Sequence, residues 1–297
     1  MKRAALLGLM AWVVGGCAGG PVPLPQPEDR ELARVMRLAR VAFDSGNYQR
    51  ATALYRDAAS RGEARDDAWA IADAHYGAGV SLLRQRNEAA ALAEVEAARE
   101  ALALVEAPAF LELVLLEATL RYRLGQPEAA LRLAAVLRGE EEPMIAGRAM
   151  VLDGLIASDR GDPQTLAEDL AAVRALEEAG LAADEVELEA RLRLLQGQPG
   201  EAAAAFQRAA DLRRDELDYE GMTRALAAAA AASEASADLP QAAELYLRAG
   251  RSAAARGQPE AGDWLRSAER LAISAGDSEL AQEARERLRQ WESSSAS

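Results

Sequence analysis

The sequence predicts an all-α protein, an α-solenoid of stacked antiparallel helix hairpins. Three observations predict this fold. Similar short turns recur along the chain: GQPEA at residues 125–129 and 257–261, GDP at 161–163 and GQPGEA at 197–202. Half of the residues are hydrophobic, with alanine prominent, but aromatic residues make up only 4%. No stretch alternates apolar and polar residues as a half-buried strand does.

The chemistry of these turns explains the prediction of hairpins. Glycine tolerates the left-handed backbone that closes a helix, and proline fits the first turn of the next helix, where its missing N–H is not needed. In LGQPEAALRLA, residues 124–134, we expect Gln126 as the N-cap and Pro127 as the first helical residue. Glu128 then lies in the first turn, where the helix dipole favours an anion. Each copy therefore predicts helix, tight turn, helix.

The N-terminus predicts a signal peptide over residues 1–16. A basic MKR start precedes an apolar run that is too short to span a bilayer, and VGGC follows at residues 14–17. This end resembles the lipobox of bacterial lipoproteins, which implies that Cys17 becomes the lipidated first residue and carries acyl chains such as palmitate. Ala18, in place of Asp, resembles the pattern that sorts lipoproteins to the outer membrane. The alternative is an ordinary signal peptide with a chance cysteine.

A short tether is predicted between the lipid and the folded part. Prolines recur through residues 17–27, so this segment should be semi-extended at roughly 3 Å per residue and reach about 30 Å. We expect the solenoid over residues 28–292 and a disordered tail over 293–297.

The charge of the chain argues against a nucleic-acid partner. The net charge is −14 and the isoelectric point is about 4.8. Recognition of a phosphate backbone depends on a basic surface, which this chain lacks. The oligomeric state stays open.

The regular spacing of the predicted turns indicates an internal repeat. Seven residues mark turns that lie 36 to 40 positions apart: Gly46, Arg86, Gly125, Gly161, Gly197, Ala237 and Gly276. Around them, small residues recur at fixed offsets, with one aromatic residue on the second helix, as in Ala51, Tyr55 and Ala58. This pattern resembles the tetratricopeptide repeat family, which implies about seven helix pairs that stack into a superhelix.

Several positions depart from the repeat pattern. Leu166 stands where the second helix usually carries alanine, and Glu269 stands at a normally small position. Arg285 replaces the aromatic residue of the last unit, as expected of a terminal cap. The turn at Gly257 falls between two pairs, so the glycine–proline motif marks turns and not the phase of the repeat.

Few residues favour catalysis. His75 is the only histidine and is expected to be a satisfied core or groove side chain, and Cys17 is assigned to lipid. That excludes cysteine–histidine catalysis and the usual zinc sites, so we expect no enzyme, metal or cofactor. The acidic runs at residues 138–143 and 185–189 are interpreted as solvated surface. Their use in a carboxylate-dependent peptidoglycan hydrolase is a weaker alternative.

The family resemblance implies that ligands bind to first-helix side chains on the concave face. Carried onto this chain, those positions include Arg40, Tyr76, Arg84, Tyr122, Arg123, Arg148, Arg191 and Arg224. Arginine pairs with carboxylates and tyrosine supplies contact area, so Tyr76, Arg84, Tyr122 and Arg123 are the candidate peptide-binding cluster. Alternatively, acidic neighbours neutralise these arginines as ordinary surface pairs.

These features predict a protein-binding scaffold, anchored by lipid to the outer membrane and facing the periplasm. Its expected partner is a protein or peptide of envelope assembly, secretion, pilus biogenesis or peptidoglycan synthesis. An activator that stimulates a cell-wall enzyme by direct contact is the alternative.

Overall fold

The structure is a computed structural model and describes residues 29–295. This part of the chain contains fourteen α-helices, one short 3₁₀ helix at Ala179–Leu181 and no strand, which confirms the predicted all-α class. None of its helices has both the length and the apolar character needed to cross a bilayer. The predicted signal peptide, Cys17 and the tether lie outside the described residues.

The helices form seven antiparallel pairs, as predicted, and each helix packs against the next one in the chain. The first helices of the pairs are α1 (Arg30–Asp44), α3 (Ala68–Arg84), α5 (Leu111–Arg123), α7 (Pro143–Asp159), α9 (Ala182–Leu195), α11 (Tyr219–Ala235) and α13 (Ala261–Ala275). The second helices are α2 (Tyr48–Glu63), α4 (Glu88–Leu104), α6 (Pro127–Leu137), α8 (Pro163–Ala175), α10 (Pro199–Asp215), α12 (Leu239–Ala254) and α14 (Ser278–Ser295).

All seven predicted turn residues have the left-handed backbone that the turn requires. Five of them are glycine, whereas Arg86 and Ala237 adopt φ values of 61° and 64° with a side chain present. Such a backbone is strained for a residue with a Cβ. The next residue offsets this strain by capping the second helix: Asn87 accepts the backbone N–H of Ala90, and Asp238 accepts that of Gln241.

Small residues allow the paired helices to pack closely. In the first pair, Ala39, Ala51 and Ala58 are fully buried, and Tyr55 fills the space beside them. The same positions of the fifth pair are also buried. Leu166, which departs from the pattern, is fully buried as well, so the fourth pair accommodates a larger side chain. The core runs from pair to pair along the array and is not a single central cluster.

The last pair forms the C-terminal end of the solenoid. Glu269 and Arg285, the two departures from the pattern, pair with each other at 2.6 Å, and Ala268 is the buried small residue. α14 continues to Ser295. Residues 293–295 thus belong to this helix, and the predicted division into signal peptide, tether, solenoid and tail stays a prediction.

Candidate ligand-binding face

The first helices line the inner face of the solenoid, because their side chains interact across several pairs. Burial lowers the pKa of Arg123 on α5, and the like charge of Arg224 on α11 lowers it further. Burial raises the pKa of the Tyr76 hydroxyl on α3, and the charge of Arg148 on α7 opposes this. Pairs that are distant in sequence therefore face one another across this surface.

A cavity of about 320 Å³ opens on this face between α1, α2 and α3. We call it the inner-face cavity, and it is lined by Met36, Arg40, Phe43, Tyr55, Asp73, Tyr76, Gly77 and Val80. Arg40 and Tyr76 were both predicted for this face, and the structure brings them to the same cavity. Its walls are mainly apolar or aromatic, with one acid and one base.

Aromatic packing holds the walls of the inner-face cavity in place. The ring of Phe43 meets Tyr48 edge to face at 5.3 Å between ring centroids, and Tyr76 meets Phe110 in the same way at 5.4 Å. Tyr55 approaches from the second helix α2 beneath Gly77. A Cβ at residue 77 would lie only 2.6 Å from Cζ of Tyr55, so glycine is required for this close approach.

The charged residues of the cavity are loosely paired. Arg40 Nη2 lies 3.7 Å from Asp73 Oδ2, and the two side chains are 62% and 54% exposed. Burial raises the pKa of Asp73, and Arg40 only partly opposes that effect. Both groups can therefore turn toward a ligand at little energetic cost, since exposed ion pairs contribute about 1 kcal/mol or less.

Several predicted arginines already have acidic partners. Arg123 lies 3.6 Å from Glu88, and Arg224 lies 3.7 Å from Glu220. Arg191 has two partners, Asp159 at 3.4 Å and Glu187 at 3.3 Å. The alternative of ordinary ion pairs thus describes these three side chains. Arg84 and Arg148, in contrast, are exposed and form no ion pair within residues 29–295.

The four residues proposed as one peptide-binding cluster have different surroundings. Tyr76 lines the inner-face cavity. The hydroxyl of Tyr122 donates a hydrogen bond of 2.6 Å to Asp159 Oδ2. Burial is the main cause that raises the pKa of this tyrosine, and the hydrogen bond to Asp159 is the next. Arg123 belongs to a separate group of charges, and Arg84 is exposed at the end of α3. These four residues therefore do not share one set of contacts, and their role as a peptide-binding cluster stays a prediction.

Sequence reasoning predicted Arg123 and Arg224 but missed the group of charges around them, which crosses the inner face. We call it the bridging cluster, and it consists of Arg86, Glu88, Arg123, Glu220, Arg224 and Glu260. The hydrogen bond to Glu260 is the main cause that raises the pKa of Arg86, and Glu220 and Glu88 add to it. Three positive and three negative charges balance there. No local signal could predict the cluster, because Arg86 and Glu260 are 174 residues apart.

The acidic run at residues 185–189 lies on a helix surface and is paired with arginines. Glu185 and Glu189 bind Arg174 at 2.8 and 2.9 Å. Glu187 binds Arg213 at 2.7 Å. The run therefore lies on the partly exposed surface of α9, where arginines of the neighbouring helices α8 and α10 pair with it.

His75 has the satisfied environment that was predicted for it. Its Nδ1 lies 2.6 Å from Glu94 Oε2, and Arg56 donates to the other oxygen at 2.7 Å. Burial raises the pKa of the Glu94 carboxyl, but these two partners lower it by more. Within the described helices, no group of three or more His, Cys, Asp or Glu has a metal-binding arrangement.

Comparison with known proteins identifies the fold. No protein-family model and no curated protein sequence matches the chain. A Rap protein complexed with competence and sporulation factor is similar in structure, with a TM-score of 0.59 and 15% identity over 92% of this chain and 89% of that one.

Two further solved structures share the arrangement. The apo form of the quorum sensor NprR from B. thuringiensis has a TM-score of 0.56 and 12% identity, over 81% of this chain and 76% of that chain. A signal transduction ATPase with a tetratricopeptide repeat sensor, from Pyrococcus horikoshii, has a TM-score of 0.55 and 14% identity, over 89% of this chain and 43% of that chain. The chain therefore has the fold of a tetratricopeptide-repeat-like solenoid.

Proposed function

We propose that this protein is a lipid-anchored adaptor that binds a protein or peptide partner on the inner face of its solenoid. The inner-face cavity is the observation that carries the proposal. Its volume of about 320 Å³ lies within the range of ligand pockets, and it combines apolar walls with a few convergent polar groups. Aromatic residues and arginine are the side chains that most often dominate binding energy at protein interfaces.

The comparisons give limited support of their own. One similar structure is a Rap protein in complex with a named factor, and two others are described as a quorum sensor and as a protein with a repeat sensor. Proteins of similar fold are thus described as sensors or as bound to a factor. At identities of 12–15% the likeness extends to the fold, so the proposal for this chain rests on its own cavity.

The proposed mechanism is to hold a partner near a membrane. The pattern at residues 14–17 supports acylation of Cys17, and the Pro-rich tether gives the solenoid reach. Confining both partners to one surface raises their effective concentration. We place the protein at the periplasmic side of an outer membrane, in envelope assembly, secretion, pilus biogenesis or peptidoglycan synthesis. Labelling with palmitate should mark the wild-type chain and not Cys17→Ser, whereas equal labelling would contradict the anchor.

Site-specific photo-crosslinking tests the binding face. A benzophenone amino acid replaces Phe43 in the inner-face cavity or, as the control, Ala204, which is exposed on the second helix α10. After irradiation of cells, we expect a discrete adduct from position 43 and none from position 204. Adducts of equal yield from both positions, or an adduct from position 204 alone, would show that the partner does not bind the inner face.

A further inference from the structure

Arg148, like Arg84, is a predicted inner-face arginine without an ion pair within residues 29–295. It is exposed on α7 and forms no ion pair with another described residue, whereas Arg40, Arg123, Arg191 and Arg224 all have acidic partners. It lies close enough to the inner-face cavity for its charge to lower the pKa of Tyr76, against the larger effect of burial. The charge of an unpaired guanidinium thus acts on Tyr76, which lines the inner-face cavity.

The acidic residues near Arg148 are neutralised in other ways. Asp184 binds Arg213 at 2.8 Å. Glu112, whose charge also acts on Tyr76, lies in the first turn of α5, where the helix dipole compensates an anion. Asp73 is paired with Arg40. The charge of Arg148 also acts on Asp184, against the burial that raises the pKa of that carboxyl, but Arg148 forms no ion pair of its own and favours a carboxylate as its partner.

The inner-face cavity supplies a second, apolar requirement. Met36, Phe43 and Val80 line it together with the rings of Tyr55 and Tyr76. Burying a large aliphatic or aromatic side chain there removes apolar surface from water, which is the main favourable term in such binding. A charged side chain in this cavity would lose its hydration, and its polar partners there would be limited to Arg40 and Asp73.

From these two features we infer the chemical class of the partner: an acidic peptide segment with a bulky apolar side chain. The apolar side chain fills the inner-face cavity, and a carboxylate a few residues away binds Arg148. The segment crosses Tyr76 between the two points. This inference rests on the proposed function, because it assumes that the inner face binds a peptide.

A peptide selection tests the inference without knowledge of the natural partner. The full chain, purified in detergent, is used to select from a displayed library of random ten-residue peptides. We expect enrichment of sequences in which Leu, Ile, Met or Phe precedes or follows Asp or Glu by a few positions. Enrichment of basic peptides, or of peptides without an apolar residue, would overturn the inferred class. If Val80→Phe, which fills the cavity, still weakened the binding of such peptides, the proposal of inner-face binding would stand.

Single substitutions then locate the two contacts. For a selected peptide, Arg148→Glu should weaken binding by about tenfold, and Arg132→Glu, which reverses another unpaired, exposed arginine on α6, should change it by less than about twofold. Replacing the acidic residue of the peptide by its amide should remove the difference between wild type and Arg148→Glu. If that difference persists, Arg148 does not bind the carboxylate. If no peptide is enriched at all, this inference fails, and crosslinking from position 43 decides the proposed function separately.

Discussion

Arg86 and Glu260 form a bidentate ion pair although 174 residues separate them in the chain, with Arg86 Nη1 lying 2.6 Å from Glu260 Oε2. Arg86 follows the first helix of the second pair, and Glu260 precedes the first helix of the seventh. The solenoid therefore curls so far that two distant pairs touch. Because the bridging cluster spans the inner face, its charges influence how far this face opens.

The first prediction concerns the width of the solenoid. Arg86→Glu places like charges together and should increase the radius of gyration measured by small-angle X-ray scattering at low salt. Arg86→Glu combined with Glu260→Arg should restore the wild-type value. Since both side chains are partly exposed, we expect a coupling energy of about 1 kcal/mol or less and a weaker effect in high salt. Arg50→Glu, at an exposed position on α2, is the control, and equal radii for all variants would contradict the role of the ion pair.

A second prediction concerns a buried group of charges between the third and fourth pairs. Nη1 of Arg138 lies 2.6 Å from both Asp153 and Asp169. Arg138→Ala should lower the free energy of unfolding by about 3 kcal/mol, because it leaves two poorly solvated carboxylates without a counter-charge. Urea denaturation measures this loss. Adding Asp153→Asn and Asp169→Asn to Arg138→Ala should recover part of it, and no recovery would show that lost packing is the cause.

The same two aspartates predict a pH dependence. Burial raises the pKa of Asp153 and of Asp169, and Arg138 only partly opposes it. Each folded-state pKa lies above the unfolded value, so protonation favours the folded chain. The stability that these groups contribute is full below the unfolded pKa of about 3.9 and is lost as the pH rises through the folded pKa. The double variant Asp153→Asn/Asp169→Asn should therefore gain free energy of unfolding relative to wild type when the pH is raised from 4 to 7. A difference that does not vary with pH would contradict this assignment.

A fourth prediction tests the small residues that let the helices pack closely. Ala202 is fully buried on α10, whereas Ala204 on the same helix is exposed. Ala202→Leu should lower the free energy of unfolding by about 1–3 kcal/mol through overpacking, and Ala204→Leu should change it by about 0.5 kcal/mol or less. Equal effects in chemical denaturation would mean that close approach at this position is unimportant.

Local signals explain why the fold could be predicted. A glycine that closes a helix and a proline that begins the next act within a few residues, and buried alanines repeat at fixed offsets from them. Even Arg86 and Ala237, which lack glycine, were found because the spacing of the turns is regular.

The candidate site was only partly predictable, because its side chains are paired across helices. The family pattern predicted Arg40 and Tyr76 together, and both line the inner-face cavity, but the pattern could not show which arginines pair with carboxylates there. The pentapeptide GQPEA illustrates the limit. In its first copy, Glu128 forms an ion pair with Arg160 of the next helix pair. In its second copy, Glu260 forms an ion pair with Arg86, five helix pairs away. The difference arises from the rotation accumulated along the solenoid, which no short sequence contains.

The central claim is that the inner face is the working surface of this solenoid, and its most direct test fills the inner-face cavity. Affinity for a selected peptide is measured by fluorescence anisotropy with Val80→Phe, which occupies the cavity, and with Val41→Phe, at a position of α1 that is 61% exposed and outside it. Circular dichroism checks that both variants remain folded. We predict that Val80→Phe weakens binding by at least about tenfold while Val41→Phe binds like wild type. Undiminished binding by a folded Val80→Phe protein would contradict the account.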